Sequence, residues 1–118
     1  MPPFISPESE AVKKAMRKNY MQAMPREWRG MARVFVALGD EHRQRILLTF
    51  GKGEELNVSA IAAVSTLSRP AVSHHLKILH QAGVLKREKR GKEIYFRVDR
   101  AALVDALQTV LGYVRQHA

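Results

Sequence analysis

Residues 68–92 read SRPAVSHHLKILHQAGVLKREKRGK, and this stretch decides the fold. Ser68 is an N-cap residue, and Arg69 and Pro70 fill a first helical turn in which proline's missing N–H is not needed. Val72, Leu76 and Leu79 fall on one apolar stripe, and Gly83 stands where a left-handed C-terminal cap is wanted. With that stripe turned inward, Arg69, Pro70, Ser73, His74 and Lys77 face outward. Beyond the glycine, Val84–Lys89 and Glu93–Val98 read as two strands around Arg90-Gly91, with Ile94, Phe96 and Val98 alternating against Tyr95 and Arg97. The helix is therefore followed by a charged β-hairpin.

Working upstream, Ser59 is placed to cap a small helix whose inward residues are Ile61, Ala62 and Val64, and Ser65-Thr-Leu-Ser68 forms a tight turn before the longer helix. Two helices joined this way make a helix-turn-helix over about residues 59–82, with a wing over about 84–98. Leu56-Asn-Val58 suits a brief strand. Asp40 caps an earlier helix through Ile46, Leu47 and Phe50, ended by Gly51-Lys-Gly53. Before it, Trp28, Met31, Ala32, Phe35 and Leu38 share one helical face, and Gly39-Asp40 breaks that helix.

The two ends are helical by the same spacing. Pro7 and Glu8 suit a first turn, Val12, Met16 and Tyr20 recur every fourth residue, and Lys13, Lys14, Arg17 and Lys18 take the other side. At the far end Asp99 caps a helix lined by Leu103, Leu107, Val110, Leu111 and Val114. The expected fold is mainly α with a small β-hairpin: a flexible lead-in over residues 1–6, then a winged helix-turn-helix domain over 7–118. The terminal stripes read either as core within one chain or as a dimer interface. Soluble domains rarely expose so wide an apolar face, which favours helices 7–24 and 100–116 pairing with a second copy through Val12, Met16, Tyr20, Leu103, Leu107, Val110, Leu111 and Val114.

Composition narrows the function. Among 118 residues, 20 Lys and Arg stand against 11 Asp and Glu, a formal charge of +9. Such a balance calls for a polyanion, and nucleic acid fits better than a membrane. There is no apolar run near the ~18–20 residues of a spanning helix and no secretory pattern, so a cytoplasmic protein is expected. The chain has no cysteine. Disulfides, thiolate metal sites and cysteine nucleophiles are thereby excluded. Without a glycine-rich phosphate loop, a nucleophile motif or a paired-carboxylate pocket, no enzymatic activity and no cofactor are expected.

What remains is binding. Arginine can fork onto a guanine edge, and serine and histidine can donate or accept, so Arg69, Pro70, Ser73, His74 and Lys77 are the base-facing candidates. On the wing, Lys86, Arg87, Lys89 and Lys92 suit phosphates, while Arg90 and Gly91 at the tip are placed for an adjacent minor groove. Only Glu88 opposes these cations within the run. Plainer alternatives are a solvated helix face with a solvated hairpin tip, a winged helix used for protein docking, or a nonspecific DNA binder. The five histidines make a poor metal site: His74 and His75 project about 100° apart on a helix, His75 and His80 lie five apart, and His42 and His117 stand alone.

The segments LGDEHRQRIL and LSRPAVSHHLKILHQAGVLKREKRGKEIYFRV, within Val36–Val98, resemble the ArsR/SmtB family of bacterial winged-helix repressors. The resemblance implies a homodimer that occupies a promoter and is released by an inducer; a two-fold dimer, with its recognition helices about one DNA turn apart, predicts an inverted-repeat operator. The resemblance also implies that Arg69, Pro70, Ser73 and His74 meet the major groove. The family's sensing sites do not carry over. Where the thiolate motif ELCVCDL stands in relatives, this chain reads ELNVSAI, with Asn57 and Ser59 replacing the cysteines. Arg100, Ala102, Tyr113 and Gln116 stand where relatives place Asp and His metal ligands. The expected metal set is therefore none, and the inducer is an unidentified small molecule, an unusual metal, or absent.

Overall fold

The computed structural model describes residues 8–118. The lead-in expected over residues 1–6, and Pro7, lie outside the described residues. Six α-helices and a three-stranded antiparallel sheet follow in the order α1 Glu10–Met21, α2 Met31–Leu38, α3 Glu41–Thr49, β1 Leu56–Asn57, α4 Val58–Val64, α5 Arg69–Gln81, β2 Leu85–Arg90, β3 Glu93–Val98 and α6 Arg100–His117. A short 3₁₀ turn, Arg26–Trp28, separates α1 from α2.

Side-chain caps set the helix starts. Ser9, Asp40, Ser68 and Asp99 each accept a hydrogen bond from the backbone N–H three residues on, so α1, α3, α5 and α6 begin with an orphan donor satisfied. The first helix thus starts at Glu10, with Ser9 rather than Pro7 at its entry. α4 departs from expectation too. Asn57, not Ser59, is its cap, accepting from Ala60 N–H at 2.9 Å. The inward stripe becomes Val58, Ile61 and Ala62, and Val64 is left 73% exposed.

α5 closes as its sequence demands. Gly83 takes φ +81°. Its N–H donates to His80 C=O and that of Val84 to Leu79 C=O, both at 3.0 Å, with Val84 and Leu79 themselves buried. This is the double hydrogen bond and apolar contact of a Schellman cap.

The core lies beneath α5. Val72, Leu76 and Leu79 are fully buried against Ala37, Ile46, Ile61, Val84, Leu85 and Phe96. Burying each of these large aliphatic side chains contributes about 2 kcal/mol, so the stripe clamps α5 between α3, α4 and the sheet. In α2 the packed face is Met31, Val34, Ala37 and Leu38, while Ala32 and Phe35 point outward. The 3₁₀ turn and Gly30, at φ +79°, restart the chain before Met31, so Trp28 and α2 do not share one helical phase.

The strand order is β1-β3-β2. Arg90 pairs with Glu93, which makes Gly91-Lys92 the two-residue connection. Gly91, at φ +60°, occupies its first position, where one of the favoured hairpin turns requires positive φ. The hairpin was expected to turn at Arg90-Gly91 and instead turns one residue later.

At the ends, α6 sends Leu103 to the core, and Tyr113 meets Trp28 edge to face at 5.7 Å. Neither α1 nor α6 has a fully buried residue. Val12 and Val110 are half-buried, while Met16, Tyr20, Leu107, Leu111 and Val114 are exposed. A core role for the whole terminal stripe within one chain does not fit this packing.

Candidate nucleic-acid interface

Because Val72, Leu76 and Leu79 are fixed inward, the helix geometry turns Arg69, Pro70, Ser73, His74 and Lys77 to solvent. All five lie along the N-terminal two-thirds of α5. Four of them, Pro70, Ser73, His74 and Lys77, line a shallow groove whose opposite wall is Arg87, Ile94 and Phe96 of the hairpin. The groove therefore joins a hydrogen-bonding helix face to the wing.

Strand alternation divides the wing's cations. Leu85, Arg87 and Lys89 oppose Val98, Phe96 and Ile94, on the sheet face that carries the core. Lys86, Glu88 and Arg90 oppose Arg97, Tyr95 and Glu93, on the other face. There Arg90 lies 2.5 Å from Glu55 and 3.0 Å from Glu88, with its guanidinium 5.1 Å from the centre of the Tyr95 ring. Lys86 stands 4.0 Å from Asp99. Glu88 is the one acid within the run, and Glu55 and Asp99, distant in sequence, supply two further carboxylates. Arg90 is the last residue of β2 rather than part of the tip, and alternation along the strand sets it on this face beside Glu55. Hydrogen bonding from Arg90 holds the Glu88 carboxyl below the usual range, and the same contact raises Arg90. Among the described residues, Arg87, Lys89 and Lys92 form no ion pair within 4.0 Å and remain available, with Gly91 and Lys92 at the tip.

Behind the reading helix sits a group that composition did not single out. Arg43 of α3 is 9% exposed. Its Nε donates to Ala37 C=O at 2.8 Å and its Nη2 to Val36 C=O at 3.0 Å, satisfying carbonyls at the end of α2. Its Nη1 reaches Nδ1 of His75, on α5, at 3.3 Å. Burial lowers the His75 pKa first, and Arg43, His42 and His74 lower it further, against Asp40, which raises it. The Arg43 backbone N–H, hydrogen-bonded to the Asp40 cap, holds that carboxyl below its ordinary value. One signal was present: Arg43 lies three residues before Ile46, a basic side chain on the inward stripe of α3. Glu55 had no such local signal.

Asn57 has two partners. Besides capping α4, its amide donates to Glu93 Oε2 at 3.0 Å, linking the small helix to the wing. Tyr113 packs on Trp28 and His117. Among the described residues, no three His, Cys, Asp or Glu side chains converge on a metal site. No described helix is long and apolar enough to cross a membrane.

Comparison with known proteins matches this geometry. The family model described as "Bacterial regulatory protein, arsR family" matches residues 40–87, from the α3 cap into the wing. The transcriptional repressor SdpR of Bacillus subtilis is 34% identical over 86 residues, covering 73% of this chain and 94% of that one. The chain spans only about half the length of the cadmium and arsenic resistance regulators it also resembles. An ArsR-like transcriptional regulator from Rhodococcus superposes with TM-score 0.68 at 31% identity, over 75% of this chain and 83% of that one. A homodimeric winged helix-turn-helix DNA-binding domain from Mycobacterium bovis superposes with TM-score 0.58 at 26% identity, over 78% and 90% of the two chains.

Proposed function

The chain belongs to the arsR family of bacterial regulatory proteins, a transcriptional regulator with a winged helix-turn-helix, and on that premise we propose that it is a homodimeric, sequence-specific repressor acting on an inverted-repeat operator in the cytoplasm. The observation that carries this reading is the groove shared by the outer face of α5 and the wing. Arg69, Pro70, Ser73, His74 and Lys77 would read base edges in the major groove, and Arg87, Lys89, Gly91 and Lys92 would track the phosphates beside it. Lys86 and Arg90 join the phosphate contacts only when they leave Asp99, Glu55 and Glu88.

The apolar faces of α1 and α6 support the dimer, as does the homodimeric neighbour. A two-fold pairing through Val12, Met16, Tyr20, Leu103, Leu107, Val110, Leu111 and Val114 sets two α5 helices about 34 Å apart, one turn of duplex. At the small-helix position both polar atoms of the Asn57 side chain are engaged, one by the α4 cap and one by Glu93.

The test is a mobility-shift titration in salt on the region upstream of the protein's own gene, beside an unrelated duplex. Tight binding to the first alone supports the proposal, and equal affinity for both leaves a nonspecific binder. No binding to duplex at low salt favours a docking module. Arg69→Ala should relax base preference, whereas Lys89→Ala should weaken all duplexes alike and flatten the salt dependence. Equal losses on every sequence would sink that division of labour.

A further inference from the structure

The hydrogen bond between Arg43 and His75 has its direction fixed by chemistry. A guanidinium has five N–H donors, no acceptor, and keeps its proton at all ordinary pH. Nδ1 of His75, 3.3 Å from Nη1, must therefore be the acceptor. Only an imidazole protonated on Nε2 alone can serve, since a ring protonated on both nitrogens would point an N–H at the guanidinium. The other arms of Arg43 are anchored on Ala37 C=O and Val36 C=O, so the side chain cannot swing away without giving up both hydrogen bonds and leaving a buried charge unsatisfied. Arg43 is thus a rigid strut from the end of α2 to the middle of α5.

His75 directly follows Ser73 and His74 on the helix that carries the base-facing groups. The titratable and charged groups acting on it are Asp40, His42 and Arg43, from α3 and its cap, and His74 from its own helix. The His42 and His74 rings each lie 5.9 Å from that of His75. Three basic groups against one carboxylate make a second positive charge unwelcome here. We propose that Arg43 and His75 are positioning residues for DNA recognition: their hydrogen bond fixes the rotation of α5 against α2 and α3, and mild acid, by protonating His75, breaks it and releases the operator. This rests on the DNA-binding reading above.

Net charge alone gives the opposite sign. Protonating histidines beside a polyanion strengthens phosphate attraction, so affinity governed by charge rises in acid. Affinity governed by the strut falls.

The experiment uses the whole protein and a fluorescent duplex from the region upstream of its gene, with anisotropy titrations at about pH 7.5 and about pH 5.5 at constant salt. Wild type should lose about tenfold in affinity in acid, the scale of one hydrogen bond to a charged group. His75→Gln, whose amide oxygen can accept from Arg43 but does not titrate, should bind as wild type at the higher pH and hold its affinity at the lower. His75→Ala should bind weakly at both, and His74→Gln should keep the acid loss. Binding that stays flat or rises in acid for wild type, or a His75→Gln variant that falls in parallel with it, overturns the strut while leaving DNA binding intact. Failure to bind duplex at either pH overturns the DNA-binding reading instead, and the strut's role with it. Histidine NMR of the free protein decides the geometry separately: His75 should be the Nε2–H tautomer at neutral pH in wild type and lose that preference in Arg43→Lys.

Discussion

Arg90 Nη2 lies 2.5 Å from Glu55 Oε2, an ion pair that ties the last residue of β2 to the residue just before β1 across the intervening strand. A wing cation that looks free in the local sequence is neutralised by a carboxylate from another part of the fold. Glu55→Gln combined with Glu88→Gln removes both carboxylates that hold Arg90 and lets it turn to DNA. The expected result is tighter binding at low salt and a salt slope steeper by about 1.8, the equivalent of one added phosphate contact from each protomer of the dimer. An unchanged slope would mean Arg90 cannot reach the backbone even when released.

The two faces of the wing should behave differently. Arg87 lines the groove beside α5 and has no ion-pair partner among the described residues, whereas Lys86 sits near Asp99 on the opposite face. Arg87→Ala, which removes one contact from each protomer of the dimer, should flatten the salt slope by about 1.8, and Lys86→Ala should change it by much less. Equal slopes for the two variants would show that the hairpin rotates on binding.

Elements governed by local chemistry were legible in the sequence. Ser68, Asp40 and Asp99 cap helices because the interaction spans three residues, and Val72, Leu76 and Leu79 are buried because a helix repeats every 3.6. Gly83 ends α5 with the expected positive φ. The hairpin turn was misplaced by one residue because Arg90-Gly91 and Gly91-Lys92 are equally polar and share the same glycine. In the structure Arg90 pairs with Glu93, so Gly91-Lys92 is the loop, with Gly91 supplying the positive φ. That one-residue difference moves Arg90 out of the loop and into β2, where it pairs with Glu93. Glu55, Asp99 and His75 acquire their partners only through tertiary packing, so no spacing rule finds them.

Asn57 offers a stability test with two separable parts. Asn57→Ala should cost about 1 kcal/mol in chemical denaturation through loss of the α4 cap. Asn57→Asp keeps the capping oxygen but sets a carboxylate beside Glu93, where the native amide donates at 3.0 Å. It should fall between wild type and Asn57→Ala, and adding salt should bring it toward wild type by screening the repulsion. A variant indifferent to salt would mean that Glu93 turns away.

Folding stability should also follow the protonation of His75. Its folded pKa is depressed below 6.5, chiefly by burial, so the unfolded chain takes up the proton first as pH falls. Stability from this group is complete above the unfolded value and is lost as pH drops below it toward the folded value. Thermal melts without DNA should show wild type losing midpoint between about pH 7 and about pH 5.5, and His75→Gln losing less over the same window. Identical curves would remove His75 as the titrating group.

The outer stripe of α6 gives the sharpest test of assembly. Leu107, Leu111 and Val114 are 50%, 46% and 45% exposed in the single chain, at positions three and four apart that form one continuous apolar face. Placing a carboxylate there should not disturb the core, because α6 has no fully buried residue. Leu107→Glu combined with Leu111→Glu should therefore convert a dimer to the 13.4 kDa monomer in sedimentation equilibrium, with the helical spectrum retained. The same variant should lose affinity for a duplex carrying two half-sites while binding an isolated half-site as wild type does, because each α5 groove is built within one chain. Equal losses on both duplexes would mean that the stripe shapes the reading surface directly, and an unchanged mass would move the dimer contact elsewhere.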